Sequence, residues 1–385
     1  MQRALKKLVV FPNDPIWAYY KKGEIKERYF NPGNLFEEIY LFTFADREIE
    51  PYKVQEIAGD AQLHIRPLGK LSLMGVLTLP FLRKRILLDV LEIKPQVIRA
   101  YNPLVEGYCA TSIGRESGIP SVISLHGDYD RDIRYHYWRR KEYMRWTKYF
   151  LTGKIIEPHV IRSADRIICA YRFPVEYAKR YGANEENIEV IYNRVDLEKF
   201  KPLKQHKTNK PLKVICVGRL IEEKNQEILI RAIQGLDLHL ILIGDGEREL
   251  YLRDLVENLD LRERVEFIAS VPNREIHRYY QRADIFALPI KYGGIAIPVI
   301  EAMASELPVI IPRPLFEPEP ELVGNVALVV ENTVQGFREA LQHLRDNPDL
   351  RRQLGKKGRE LVRSISGDKM EQREKNLYLQ LLGGN

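Results

Sequence analysis

The sequence predicts an α/β protein built from two doubly wound parallel sheets, and three observations carry that expectation. At 385 residues the chain is too long for a single compact core. Short apolar runs alternate with helical patterns along most of its length, as parallel strands joined by covering helices do. At 201–210, KPLKQHKTNK, the alternation stops and the chain turns polar. The expected division is therefore a first domain over 1–200, a linker over 201–210 and a second domain over 211–366, followed by a terminal segment 367–385.

In the first domain the candidate strands are Leu5–Phe11, Glu38–Thr43, Leu63–Arg66, Val97–Ala100, Ser121–Leu125, Arg166–Ala170 and Ile188–Ile191. Helical patterns cover Val76–Ile93 and Val175–Tyr181, the second stopped by Gly182. In the second domain strand Leu212–Gly218, helix Asn225–Gln234, strand Leu238–Ile243, helix Glu247–Leu259 and strand Val265–Ile268 follow in order. Two more apolar runs, Ala283–Pro289 and Leu307–Ile311, read as buried strands, and helices follow near Thr333–Asp346 and Asp349–Ile365. Ligands of such folds bind at the carboxyl ends of the strands, so a cleft between the domains is the expected site.

Composition excludes several functions. The chain is 45% hydrophobic and 10% aromatic with a net charge of +7, and its pI is near 9.0 with a mean hydropathy of −0.32. That balance suits acidic ligands or an anionic membrane surface, but lacks the clustered excess of a nucleic-acid binder. Cys109, Cys169 and Cys216 are widely spaced in apolar surroundings, which fits neither a disulfide framework nor a zinc site. No apolar segment approaches bilayer length, so the expectation is a cytoplasmic protein, soluble or peripheral at the inner membrane face.

The stretch richest in chemistry is ADIFALPIKYGGIAIPVIEAMASELPVIIP, Ala283–Pro312. Gly293 and Gly294 let the backbone turn and approach a ligand, and the amides of Ala296 and Ile297 then open a helix whose end suits an anion. One turn on, Glu301 can accept two hydroxyls; an anion seat beside a diol acceptor describes a nucleotide diphosphate with its ribose. The plainer alternative is that Glu301 caps or solvates its helix.

VGRLIEEKNQ follows the first strand of the second domain and sets Arg219 and Lys224 close to a helix start, where two cations can stabilise a diphosphate leaving group. LILIGDGERE offers Gly244 and Gly246, but Glu249 occupies the third glycine position of a dinucleotide fingerprint, so a tight turn is the better reading. In the first domain SLHGDYD aims His126 and Asp128 from a strand end, with a structural histidine as the alternative. Asp128, Tyr129 and Asp130 imitate a DxD metal site, yet Arg219 and Lys224 already supply the positive charge such a metal would bring, and no metal is expected.

RYHYWRRKEYMRWTKY, 134–149, interleaves Arg139, Arg140, Lys141, Arg145 and Lys148 with aromatic rings. Either it meets an anionic bilayer, or it is a solvated helix whose rings pack inward.

Taken together, VIYNRVDLEKF, VGRLIEEKN, IGDGERE, VEFIASVP and the block from Ala283 resemble the family 4 retaining glycosyltransferases of the GT-B fold, over about Ile188–Arg363 and more weakly before it. The resemblance implies two Rossmann-like domains facing each other across a cleft, with a helix near Lys369–Leu382 crossing back to the first. It implies metal-independent sugar transfer with anomeric retention from a nucleotide-diphosphate donor, a UDP- or GDP-sugar, to a glycan, lipid-linked or small-molecule acceptor, with no further cofactor. Arg219, Lys224 and His126 become the catalytic set. Glu301, Gly293, Gly294, Ala296, Ile297, Gly218 and Gly244 fall on the donor side, and Asp128 and Asn193 on the acceptor side. The chain departs from the family's pattern at Arg194, where glycine is usual, and at Gly293, where an acid contacts the donor sugar. Lys291 is the side chain that could reach the space so vacated. A non-catalytic nucleotide-sugar or glycan binder, and a GT-B sugar-nucleotide epimerase, are the other readings.

Overall fold

A computed structural model describes residues 5–70, 79–203, 210–291, 296–316 and 321–383. The chain divides into two compact units, Met1–Tyr192 with Met370–Asn385, and Asn193–Lys369.

The first unit runs β1 (Lys7–Phe11), α1 (Ile16–Lys21), β2 (Glu38–Thr43), β3 (Gln62–Pro67), α2 (Leu79–Ile93), β4 (Val97–Ala100), α3 (Val105–Ser117), β5 (Ser121–Leu125), α4 (Tyr135–Arg139), α5 (Tyr143–Ser163), β6 (Arg166–Cys169), α6 (Phe173–Arg180) and β7 (Ile188–Val190). Its seven strands pair in the order β3-β2-β1-β4-β5-β6-β7, all parallel. The direction of winding reverses between β1 and β4. Every residue of β4 and β5 is buried, which is why these strands read as continuous rather than alternating runs. The connections from β3 to β4, β4 to β5 and β5 to β6 advance the same way along the sheet, so right-handed crossovers put α2, α3 and α5 in one layer. Ile86, Val90, Ala110, Ile113, Val160 and Ile161 of those helices meet Val9, Ile98 and Ile123 in one core.

The second unit runs β8 (Leu212–Val217), α7 (Glu227–Ala232), β9 (Leu238–Ile243), α8 (Glu249–Asn258), β10 (Val265–Ile268), α9 (Asn273–Tyr280), β11 (Ile285–Ala287), α10 (Ile297–Ala304), β12 (Val309–Pro312), β13 (Leu328–Val330), α11 (Val334–Asp346) and α12 (Pro348–Arg363). Its parallel sheet has the order β10-β9-β8-β11-β12-β13. Here the reversal falls between β8 and β11. The segment before β8 attaches to this unit, ahead of the expected linker: the Gly367 amide donates to Val195 O (2.9 Å), and Arg359 donates to the carbonyls of Leu197 and Phe200 (3.2 Å each). Residues 204–209 of that linker lie outside the described residues.

The last helix, α13 (Gly367–Leu381), supplies the first unit with a buried charge pair. Arg99, inside β4, donates to Glu374 Oε1 (2.5 Å), Tyr378 Oη (2.5 Å) and Ser124 Oγ (2.8 Å). An arginine in a central strand is tolerable because all of these partners reach it.

Among the described residues no helix is long and apolar enough to cross a membrane. In the basic and aromatic stretch 134–149 some rings pack on one another and others stay exposed. Tyr137 stacks on Tyr149 (5.5 Å between ring centres) and Trp146 on Phe150 (5.0 Å), while Trp138, Arg139, Tyr143 and Met144 stay exposed.

Candidate functional site

At the carboxyl edge of the second sheet, where winding reverses, β8 runs into Gly218 and Arg219. The turn is held from within: buried Gln226 donates its side-chain amide to Arg219 O (2.9 Å), and Asn225 adopts a left-handed conformation (φ 55°) just before α7. The stem of Lys224 folds back across Gly218, where an added Cβ would stand 3.7 Å from Lys224 Cγ and Cδ. Arg219 is exposed and Lys224 half-buried. Burial first, and then the charge of Arg219, push the Lys224 ammonium below its ordinary value. Among the described residues neither side chain has a carboxylate within ion-pair distance, and the charge of Glu223 on the same loop only partly offsets the two cations. Such a pair has the charge to seat an anion.

Gly244 and Gly246 have a different task from the donor contact expected of Gly244. An added Cβ at Gly244 (φ 141°) would lie 2.3 Å from Gly218 O, and one at Gly246 equally close to Leu220 O. The loops meet backbone to backbone, with the Leu220 amide donating to Asp245 O (2.7 Å) and that of Arg248 to Leu220 O (2.9 Å). These glycines therefore shape the Arg219 loop from behind. Gly244→Ala should lower thermal stability by more than about 2 kcal/mol, the combined effect of overpacking and a disfavoured φ. An unchanged melting temperature would refute that packing role.

The loop after β11 reaches the same place. Lys291 pairs with Glu222 (3.4 Å) and donates its amide to Glu223 O (2.8 Å), so this lysine joins the two loops. Gly293 and Gly294 lie outside the described residues. Ala296 then precedes α10 with extended backbone (ψ 146°), Ile297 opens the helix, and Pro298 removes one amide from its first turn. Glu301 is buried on α10, and its Oε2 accepts the hydroxyl of Tyr280 on α9 (2.9 Å). It is thus neither a solvated nor a capping residue. A carboxylate has more acceptor positions than one hydroxyl fills. Tyr280 is a partner of Glu301 that sequence reasoning misses; the two lie 21 positions apart on different helices.

In the first unit His126 follows β5, its ring stacked on Tyr101 (6.1 Å, 12°). Although the side chain keeps exposed surface, crowding around the ring and then the Arg99 charge push it down to about 4. The imidazole is neutral at physiological pH, able to donate and accept.

Asp128, expected on the acceptor side, is fully buried and structural. Its carboxylate accepts the amides of Asp130 (3.0 Å) and Arg131 (3.2 Å) and the guanidinium of Arg180 (2.6 Å). It anchors the turn to α6 because a buried carboxylate needs both a cation and amide donors. Asp130 likewise faces Arg134 (2.8 Å) and Arg180 (3.2 Å). Asn193, also expected beside the acceptor, is the half-buried first residue of the second unit.

Asp132 sits below this turn and accepts the Asp128 amide (3.1 Å). Burial, and then the Asp128 charge, push its carboxyl up to about 7. The folded value exceeds the unfolded one, so the folded state binds more protons between roughly pH 4 and 7 and stability falls as pH rises through that window. Asp132→Asn keeps the acceptor oxygen and removes the titration. Its gain in melting temperature over the parent should be larger at about pH 8 than at about pH 4; equal gains would contradict the raised value.

Comparison with known proteins bears on both units. The family model described as Glycosyltransferase Family 4 matches residues 37–199, and that described as Glycosyl transferases group 1 matches 198–361. An uncharacterized glycosyltransferase of Methanocaldococcus jannaschii is 24% identical over 290 residues, 74% of this chain and 75% of that protein. The GDP-mannose-dependent alpha-(1-6)-phosphatidylinositol monomannoside mannosyltransferase of Mycolicibacterium smegmatis is 31% identical over 159 residues, 38% of this chain and 43% of that protein. Among solved structures, Anabaena HepE in complex with UDP superposes with a TM-score of 0.73 at 16% identity, covering 98% of this chain and 100% of that one. Sucrose-phosphate synthase from Thermosynechococcus elongatus gives 0.74 at 18% identity over the same shares, 98% and 100%. At these identities the structural likeness is one of fold.

Proposed function

We propose that this chain, which belongs to the family 4 glycosyltransferases of the GT-B fold, transfers a sugar from a nucleotide diphosphate to an acceptor hydroxyl with retention of anomeric configuration and without a metal ion. The observation that carries the reading is the pair of cations Arg219 and Lys224, neither in an ion pair among the described residues, at the winding reversal of the second sheet. As the bond between the anomeric carbon and the diphosphate oxygen breaks, negative charge collects on the diphosphate, and these two cations stabilise it where a metal would otherwise be needed. The acceptor oxygen bonds to the anomeric carbon and its proton leaves with the diphosphate. Ile297 at the start of α10 adds a backbone amide to the anion seat, and Glu301, oriented by Tyr280, accepts the ribose hydroxyls. His126, neutral at the end of β5, is able to donate to or accept from a sugar hydroxyl.

UDP-glucose is bound in a HepE structure and GDP-mannose is the donor in the name of the mycobacterial relative, so UDP- and GDP-sugars come first as donors. Gly293, at the position of an acid in the resembling family, favours a second reading as a nucleotide-sugar binder without turnover. Thermal shifts with UDP, GDP and ADP, followed by nucleotide release from a donor panel that includes uronic-acid sugars, separate the two. Turnover of one donor supports transfer. Tight nucleotide binding with no turnover of any donor supports the second reading, and no nucleotide binding sinks both.

A further inference from the structure

We propose that the outer face of the α2–α5 layer in the first unit is a docking surface for an anionic lipid bilayer. The surface is made by two helices that the nucleotide site does not use. On α5, Met144, Leu151 and Ile155 recur at spacings of seven and four, one stripe of a helix, and are 86%, 52% and 69% exposed. The opposite side of the same helix is committed to the fold, with Gly153, Glu157, Val160 and Ile161 buried. On α2, Phe81 and Leu88, again seven apart, are 79% and 60% exposed while Ile86 and Val90 face the core. Solitary exposed apolar residues are ordinary; two such stripes on helices of one layer, on either side of α3, are not.

The topology aligns these stripes. Both helices return against the parallel strands, α2 between β3 and β4 and α5 between β5 and β6, so Phe81 and Met144 near their N-termini lie toward the same edge. Cations frame the apolar rows. Lys84 and Arg85 lie on α2, Lys141 just before α5, and Lys148 and Lys154 on it; all are exposed, and none has a carboxylate within ion-pair distance among the described residues. The one acid at the start of α5, Glu142, is taken up by Arg140 and Arg145 (3.0 Å each). Trp138 and Tyr143 sit at the margin, packed edge to face at 5.9 Å, the kind of amphipathic rings that settle at head-group level.

Apolar side chains to enter the acyl boundary, uncompensated cations for head-group phosphates and a rim of aromatic rings together select an anionic interface. Charge complementarity rules against a second copy of this face, which would bring the same unpaired lysines together. The inference stands apart from the nucleotide reading, since none of these residues belongs to the Arg219 loop.

The test is flotation of the full chain with phosphatidylcholine vesicles with and without phosphatidylglycerol, alongside tryptophan emission from Trp138 and Trp146. Binding is expected only with the anionic lipid, with a blue-shifted emission, and should weaken as salt is raised. Met144→Gln with Ile155→Gln on α5, and separately Phe81→Gln on α2, should each reduce partitioning while circular dichroism and UDP or GDP binding stay as in the parent. Lys154→Gln should lower it about fivefold, the factor expected for one surface cation near an anionic leaflet. No flotation at low salt, equal binding to neutral vesicles, or a dimer in sedimentation equilibrium that the same substitutions dissociate would each overturn the proposal. Because nucleotide binding is measured on the same samples, loss of that binding and loss of flotation are read separately.

Discussion

Lys224→Ala should abolish most sugar transfer while leaving the fold intact. The lysine contributes a charge-assisted contact worth about 1.5–3 kcal/mol in the ground state, and a donor aimed at charge that develops during reaction carries roughly 100- to 1000-fold in rate. It holds its place while repelled by Arg219 and partly desolvated, so removing it relieves the apo protein. Two results should therefore diverge: nucleotide affinity and turnover fall, and the melting temperature without nucleotide holds or rises. Arg219→Ala should lower affinity in the same direction, and the double variant should lose less than the sum because both act on one diphosphate. Calorimetric titration with UDP and GDP checks this. Unchanged affinity in Lys224→Ala would remove the pair from the site.

Glu374→Ala should produce the largest loss of stability of any single substitution considered. The carboxylate is the anionic partner of Arg99 inside the first sheet, and both side chains are almost wholly buried. Truncating one partner of a buried ion pair strands the other charge, at about 3–5 kcal/mol. A fall in melting temperature on the order of 10 °C follows. Arg99→Met combined with Glu374→Leu should recover most of it, because replacing both partners with apolar groups of similar volume removes the stranded charge. A Glu374→Ala protein that melts with the parent would show the pair to be energetically idle.

The strands were the most legible part of the chain, since parallel strands buried on both faces read as short apolar runs whatever their partners. Glu38–Thr43, Val97–Ala100, Ser121–Leu125, Leu238–Ile243 and Val265–Ile268 have the same limits in sequence and structure. Helix α3 was illegible. Its Gly107 and Gly114 lie against the carbonyls of Asn102 and Ile119, where a Cβ would come within 2.5 and 2.6 Å, so close packing replaces the apolar period that would announce a helix. In the candidate site, the closeness of Arg219 and Lys224 could be read because both cations lie in one short segment after a strand. Asp128 was misread because what decides its role, Arg180, is 52 positions away. The tight turn read at Gly244 and Gly246 is there, but the loop it packs against was not legible, because that loop lies on a different strand end.

The Arg99 pair also sets an order of events during synthesis. The second unit is continuous in sequence and has all its strands once α12 has left the ribosome, whereas the first unit, begun much earlier, still holds an arginine without its carboxylate in a central strand. Glu374 and Tyr378 arrive 275 and 279 positions later. Until then the nascent first unit is a sheet with an open flank, slow to consolidate because its closing contact spans most of the chain and open to association with other unfinished chains. The unit translated first thus depends for its buried ion pair on the helix translated last.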